Sequence, residues 1–149
     1  MADGSALAAA LAAAGVDSAT ATATATSSGG GGSGGGGGTL AISGVIHSAG
    51  VIDDAPLVRQ DPARFAKTFA SKVRGSWTLH ELDVHSDLGS TSSDTSSFLP
   101  RPFVLFSSVS AVLGSFGQAN YASANAFMDG LARMRAHVGL PAASIRWGP

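Results

Sequence analysis

Cysteine is absent from the 149 residues of the chain, which excludes disulfide frameworks, thiolate metal sites and cysteine nucleophiles. Charge is scarce: Asp, Glu, Lys and Arg together make 13% of the residues, against roughly 25% in an average soluble domain. A net charge of -1 offers nothing to a polyanion, so a basic nucleic-acid module and an acidic solvating tail are both excluded. No apolar run reaches the roughly 18 to 20 residues of a membrane span. The opening MADGSALAAALAAAG lacks the basic start of a secretory leader. No nucleic acid and no membrane partner is expected, and the expected location is cytoplasmic. Aromatic residues amount to 7%, with a single tyrosine, Tyr121.

The 44% hydrophobic share at first suggests one ordinary domain, but alanine supplies much of it and buries little area per residue. Composition divides the chain further. Residues 1–15 read as an alanine-rich helix over 4–14, with Asp3 or Ser5 as its cap and Gly15 as its end. Residues 16–39, VDSATATATATSSGGGGSGGGGGT, show no periodicity that would bury a face and read as a flexible low-complexity insert. Residues 40–149 carry the ordered pattern, broken by a serine-rich insert at 86–101 that reads as a loop.

Within that block Leu40 to His47 is a short strand. A helical pattern follows from Asp61 to Leu82, with Pro62 suited to the first turn. FVLFSS, residues 103–108, is the continuous apolar run of a strand buried on both faces. After a turn from Leu113 to Gly117, a long helix is expected from about Gln118 to His137, stopped by Gly139 and Pro141. AASIRW closes the pattern as a third strand. Strands alternating with helices imply parallel crossover units, hence an α/β sheet with helices on both faces.

The glycine run invites a phosphate-loop reading, yet it follows no strand, precedes a strand rather than a helix and has no GxGxxG register. A stronger constellation lies around the FVLFSS strand. Ser108 sits at the C-terminal end of that strand, the sheet edge where ligands bind. Thirteen residues on, Tyr121 opens Tyr-Ala-Ser-Ala-Asn, so Tyr121 and Asn125 share a helix face. A tyrosine hydroxyl beside a serine polarises a carbonyl and protonates its oxygen. With an ordinary pKa near 10 it needs a nearby cation to work at neutral pH. Lys72 is the candidate: at about 100° per residue, Phe65, Phe69, Lys72, Ser76 and Leu79 fall within roughly 40° of one line, which places the lysine on the apolar stripe.

GVIHSAGVIDDAPL, ARFAKTFASKVRGSWTLHEL and FVLFSSVSAVLGSFGQANYASANAFMDGLARMRAHVGLPAASIRWGP, in that order, resemble the ketoreductase domain of modular polyketide synthases. That domain is a branch of the short-chain dehydrogenase/reductase superfamily. The resemblance runs from Ser43 to the end apart from the serine-rich insert, and more weakly through ADGSALAAALA. It implies an incomplete Rossmann-like, doubly wound parallel sheet, the catalytic half of a reductase domain. It further implies NADPH-dependent reduction of a β-ketoacyl thioester, carried on an acyl carrier protein, to a β-hydroxyacyl thioester. Partner domains would be those of a polyketide or fatty-acid synthase.

By the same resemblance Ser108 would hydrogen-bond the ketone, Tyr121 would donate the proton, and Asn125 and Lys72 would complete the tetrad. Lysine on the earlier helix and asparagine four residues after the tyrosine follow the polyketide branch, which exchanges the two positions used by most of the superfamily. His47, Ser48, Ala49 and Gly50 match the segment that lies against the cofactor together with Lys72. Ile52, Asp53 and Asp54 resemble the Leu-Asp-Asp fingerprint of D (3R) reductases, with isoleucine in place of leucine. Leu113 stands where the opposite class carries tryptophan. The expected product is therefore the D alcohol.

The strand, glycine-rich turn and helix that hold the pyrophosphate in this superfamily are not found, nor is the lid region over the substrate. The 40–47 strand is therefore expected to keep an unpaired edge, and the isolated chain to bind NADPH poorly and to be aggregation-prone. Two other readings remain: a noncatalytic remnant or interaction segment, and a free-standing short-chain dehydrogenase. No metal site is expected, because His80 and His85 stand five apart, off the spacing that aligns ligands on a helix. Trp77 and Trp147 read as packing residues, and Arg133 and Arg135 as solvated charges suited to a helix C-terminus.

Overall fold

Short apolar runs set the strands, and the helices between them are long enough to return the chain across a parallel sheet. The computed structural model describes residues 22–25, 42–88 and 102–148. Four strands, β1 (Thr22–Ala25), β2 (Ile42–His47), β3 (Phe103–Ser108) and β4 (Ala143–Trp147), form one sheet in that order. β2, β3 and β4 run parallel, with Val45 opposite Phe103 and Leu105 opposite Ser144. Between β2 and β3, α1 (Pro62–Phe69) passes through a π turn (Ala70–Arg74) into α2 (Gly75–Leu88). Between β3 and β4 come the single turn α3 (Ser110–Leu113) and the long α4 (Ala119–His137). The three parallel strands and their crossovers are the Rossmann-like α/β arrangement that the alternation of patterns implies.

Two expectations are corrected at the sheet edge. Thr22–Ala25 lies in the stretch read as a featureless insert, yet it is a strand paired antiparallel with β2, Ala23 opposite Val45. The β2 edge expected to be unpaired is therefore capped. Alternating alanine and threonine has the period of two that a strand uses and a β-branched residue at every other position. The lack of bulky side chains hid that signal. The helix expected over 4–14, the glycine run and most of the serine-rich insert lie outside the described residues.

Alternation decides which side of the sheet is dry. Val45, Phe103 and Leu105 point to one side, where they pack with Leu79 from α2 and Met128, Leu131 and Ala132 from α4. Among the described residues α2 and α4 both pack on this face. On the other face Val104 and Phe106 are half-buried, while Ile46 and Ile145 are 43% and 38% exposed.

The helix expected over 61–82 begins as read, with the Asp61 carboxylate accepting from the Arg64 amide at 2.9 Å, but continues to Leu88. Its inward residues also differ. The fully buried residue of α1 is Thr68, followed by Ser71 and Lys72 in the π turn, whereas Phe65 and Phe69 sit half-buried in an edge-to-face pair.

Arg135 is not a solvated charge. It is completely buried, and its guanidinium meets Asp83 at 2.6 Å, His80 Nδ1 at 2.8 Å, the Pro141 carbonyl at 3.2 Å and the face of Phe103 at 3.8 Å. Just past the end of α4, Gly139 has a φ of +81°, which suits glycine in the left-handed region.

Candidate active site

The C-terminal ends of β2 and β3 open at the same sheet edge, where the π turn and the first turns of α4 meet them. In a π turn backbone hydrogen bonds span five residues rather than four, which lodges an extra residue in the helix. Here the Gly75 amide reaches back to the Ala70 carbonyl, and the Ser76 hydroxyl donates to the Lys72 carbonyl at 2.5 Å. Lys72 is turned inward and is 3% exposed. Its Nζ donates to the Phe106 carbonyl at 3.1 Å and lies 5.2 Å from the centre of the Tyr121 ring. Burial pushes the Lys72 ammonium down to about 8, so it stays largely charged at neutral pH.

Asn125 is completely buried one turn after Tyr121, and its Nδ2 donates to the Tyr121 carbonyl at 2.8 Å. The Ser107 hydroxyl donates to the Asn125 carbonyl at 3.3 Å, tying β3 to this turn of α4. Asn125 Oδ1 is buried with no hydrogen-bond partner among the described residues, an acceptor left over for a proton-bearing group. Ser108 Oγ accepts from the Ser110 amide at 3.2 Å and the Ser110 hydroxyl at 3.0 Å. With its lone pairs engaged, its own proton is available to an external acceptor.

His47, at the end of β2, is wholly buried, and neither ring nitrogen has a partner among the described residues. Burial first and the Lys72 charge second hold it down to about 4, so the imidazole is neutral. Ser48 and Gly50 are exposed and Ala49 is buried. A methyl group added at Gly50 would lie 3.1 Å from Lys72 Cε.

The Ile52, Asp53 and Asp54 loop is fastened rather than free. The Asp53 carboxylate pairs with Arg64 and with Lys67, the latter at 3.1 Å, and Asp54 accepts from Gln118 Nε2 at 3.0 Å. The Ala55 amide donates to the Gly117 carbonyl at 2.9 Å, where a φ of +76° favours glycine. Ile52 and Leu113 are both strongly exposed. The structure thus gathers Lys72, Tyr121, Asn125 and Gly50, and sets the two aspartates against α1 and the start of α4.

Gln60, Gln118 and Asn120, three amides that bind loop to helix here, escaped the sequence reading. The available signal was the pair of amides at Gln118 and Asn120, just ahead of the tyrosine at a helix start. Trp77 is 42% exposed, donating to Glu81, and Trp147 is 54% exposed, tilted against Phe106.

The model of the KR domain family matches residues 37–149. The spectinabilin polyketide synthase system protein NorB of Streptomyces orinoci is 44% identical over 107 residues, covering 72% of this chain and 4% of that protein. The mycoketide-CoA synthase of Mycobacterium tuberculosis is 45% identical over 107 residues, 72% of this chain and 2% of that one. Among solved structures, the first ketoreductase of the tylosin polyketide synthase superposes with a TM-score of 0.59 at 39% identity, covering 72% of this chain and 21% of that one. A short-chain dehydrogenase/reductase of Burkholderia vietnamiensis gives 0.55 at 27% identity, covering 66% and 44%. The chain spans only a small fraction of the curated relatives it matches.

Proposed function

The chain belongs to the KR domain family, and from that premise we propose that it is the catalytic part of a ketoreductase that reduces a β-ketoacyl thioester on an acyl carrier protein. The observation that carries this reading is the buried Lys72 ammonium, 5.2 Å from the Tyr121 ring at the edge where β2 and β3 end. A nicotinamide cofactor fits that edge. Gly50 leaves space against Lys72 that a side chain would fill, and Asn125 Oδ1 offers an unused buried acceptor. His47, Ser48, Ala49, Gly50 and Lys72 are the residues that would hold it. Bound NADPH would supply the hydride that adds to the β-carbonyl carbon.

The protein's own groups then manage the oxygen. Ser108 donates its free proton to the ketone oxygen and fixes its position. As the carbonyl π bond breaks, the Tyr121 hydroxyl gives its proton to that oxygen and becomes tyrosinate. The Lys72 ammonium stabilises this anion through space. Asn125 holds the turn that carries Tyr121. The other domains of a polyketide or fatty-acid synthase, in the cytoplasm, would deliver the carrier protein.

The experiment is NADPH oxidation with a β-ketoacyl thioester, followed by chiral analysis of the β-hydroxy product. Tyr121→Phe is expected to lose roughly 100-fold or more in kcat, the usual worth of a positioned acid. Equal rates would end the proton-donor role. Ile52, Asp53, Asp54 and Leu113 support the D (3R) alcohol, and an L product would overturn that assignment.

A further inference from the structure

The residue before Tyr121 makes more side-chain hydrogen bonds than any member of the proposed tetrad. Asn120 is completely buried. Its Nδ2 donates to the Asp53 carbonyl at 2.9 Å, to Thr68 Oγ1 at 3.2 Å and, more weakly, to the Arg64 carbonyl at 3.4 Å. Its Oδ1 accepts from the Tyr121 amide at 2.8 Å and lies 3.5 Å from Gln60 Nε2. One amide thus bonds the acidic loop, α1 and the first turn of α4. Amide geometry allows this because the group carries two donors and an acceptor in one plane. The Asp53 contact is to the backbone, so it fixes the path of the loop whatever its carboxylates do.

A second set of bonds reinforces the same seam. Gln60 Nε2 donates to the Ala55 and Gly117 carbonyls at 3.0 and 3.2 Å, and Gln118 holds Asp54. Most of this ring runs between the loop and the start of α4. Asn120 alone among these amides also bonds the backbone amide of Tyr121.

We propose that Asn120 is a positioning residue: it locks the Ile52–Ala55 loop to the first turn of α4 and thereby sets the pitch at which Tyr121 is presented. The role assigned to Tyr121 rests on the ketoreductase reading, but the mechanical coupling does not. With Asn120 in place, loop and phenol move as one body, and the face on which the ketone meets Tyr121 is fixed. Without it, α4 still forms, because its core contacts lie further along at Met128 and Leu131, but the turn carrying the phenol is released.

Tyr121 is the chain's single tyrosine, so 3-fluorotyrosine incorporated into the full 149-residue chain gives one fluorine resonance that reports the phenol alone. Asn120→Leu keeps the branching of the side chain, at a larger volume, and removes every side-chain hydrogen bond. Thr68→Val removes one acceptor with little change of shape. The expected result is a resonance displaced in Asn120→Leu, and less so in the same direction in Thr68→Val, at a position distinct from that of the urea-unfolded chain. A folded Asn120→Leu with the wild-type resonance overturns the proposal. If Asn120→Leu does not fold, an unmoved resonance in Thr68→Val overturns it equally. In turnover, the expected signature is a kcat roughly 10- to 100-fold lower, an unchanged KM and a loss of enantiomeric purity. A purely structural defect lowers the amount of active enzyme without altering the product ratio. Absence of reductase activity in the parent synthase carrying the wild-type sequence would undo the ketoreductase reading while leaving the fluorine result to decide the coupling.

Discussion

Lys72 shows how one residue draws a function from a cost. Burial disfavours its charged form and brings it from 10.5 down to about 8. Below about 8 the ammonium is present in both the folded and unfolded chain, and the fold bears the full penalty, on the order of 3 kcal/mol. Between about 8 and 10.5 the folded chain has lost the proton and the unfolded chain still binds it, so stability rises with pH. Activity is expected to move the other way, falling as the charge that supports tyrosinate disappears. Rate profiles and urea unfolding measured across this window should therefore diverge, and Lys72→Met should abolish the stability rise as well as most of the rate. A rate that holds constant through pH 8 would remove Lys72 from the mechanism. The lysine was legible in sequence because a charge on an apolar stripe is conspicuous. Asn120 was not: asparagine at a helix start is ordinary capping chemistry, and only the arrival of Asp53, Arg64 and Thr68 from elsewhere in the chain turns it into a junction.

The elements show where periodicity alone misleads. A uniform 100° step put Phe65 and Phe69 on the inward line, whereas the buried line runs through Thr68, Ser71, Lys72 and Ser76. The π turn at Ala70–Arg74 offsets the phase of α1 from that of α2, so that Thr68 rather than Phe69 shares the inward side with Lys72, Ser76 and Leu79. No propensity marks such a turn, since it comes from packing against β2, β3 and α4. Arg135 was misread for a related reason. Its place in the last turn of α4 suits the helix dipole, and nothing local tells that Asp83 and His80 of α2 wait beside it. His80 sits below its ordinary value, through burial and then the Arg135 charge. It is thus kept neutral, with Nδ1 free to accept from the guanidinium. Arg135→Met is expected to cost about 3–5 kcal/mol in urea unfolding, because the buried Asp83 carboxylate loses its guanidinium. Pairing it with Asp83→Leu should recover part of that loss. A cost under about 1 kcal/mol would show that the clamp contributes little.

At the scale of the whole molecule, the class of fold was legible because alternating strand and helix patterns permit few arrangements. The edge strand was not, because β1 is defined by its pairing with β2 and not by any apolar content of its own. Among the described residues the sheet is dry on one side only: Ile46, Ile145 and Trp147 present 43%, 38% and 54% of their surface. Scarce charge sharpens the consequence. With 13% charged residues and a net charge of -1, little electrostatic repulsion opposes contact between copies. Self-association through this face is therefore expected to rise with concentration in light scattering, even though β1 shields one edge from strand addition. Replacing Ile46 and Ile145 together by threonine keeps β-branching and strand preference while removing apolar surface that already faces water. The double variant is expected to scatter markedly less at equal concentration with a similar unfolding midpoint. Unchanged association would locate the cause elsewhere than on the open face. A large fall in the midpoint would instead show that the two isoleucines contribute to folding despite their exposure.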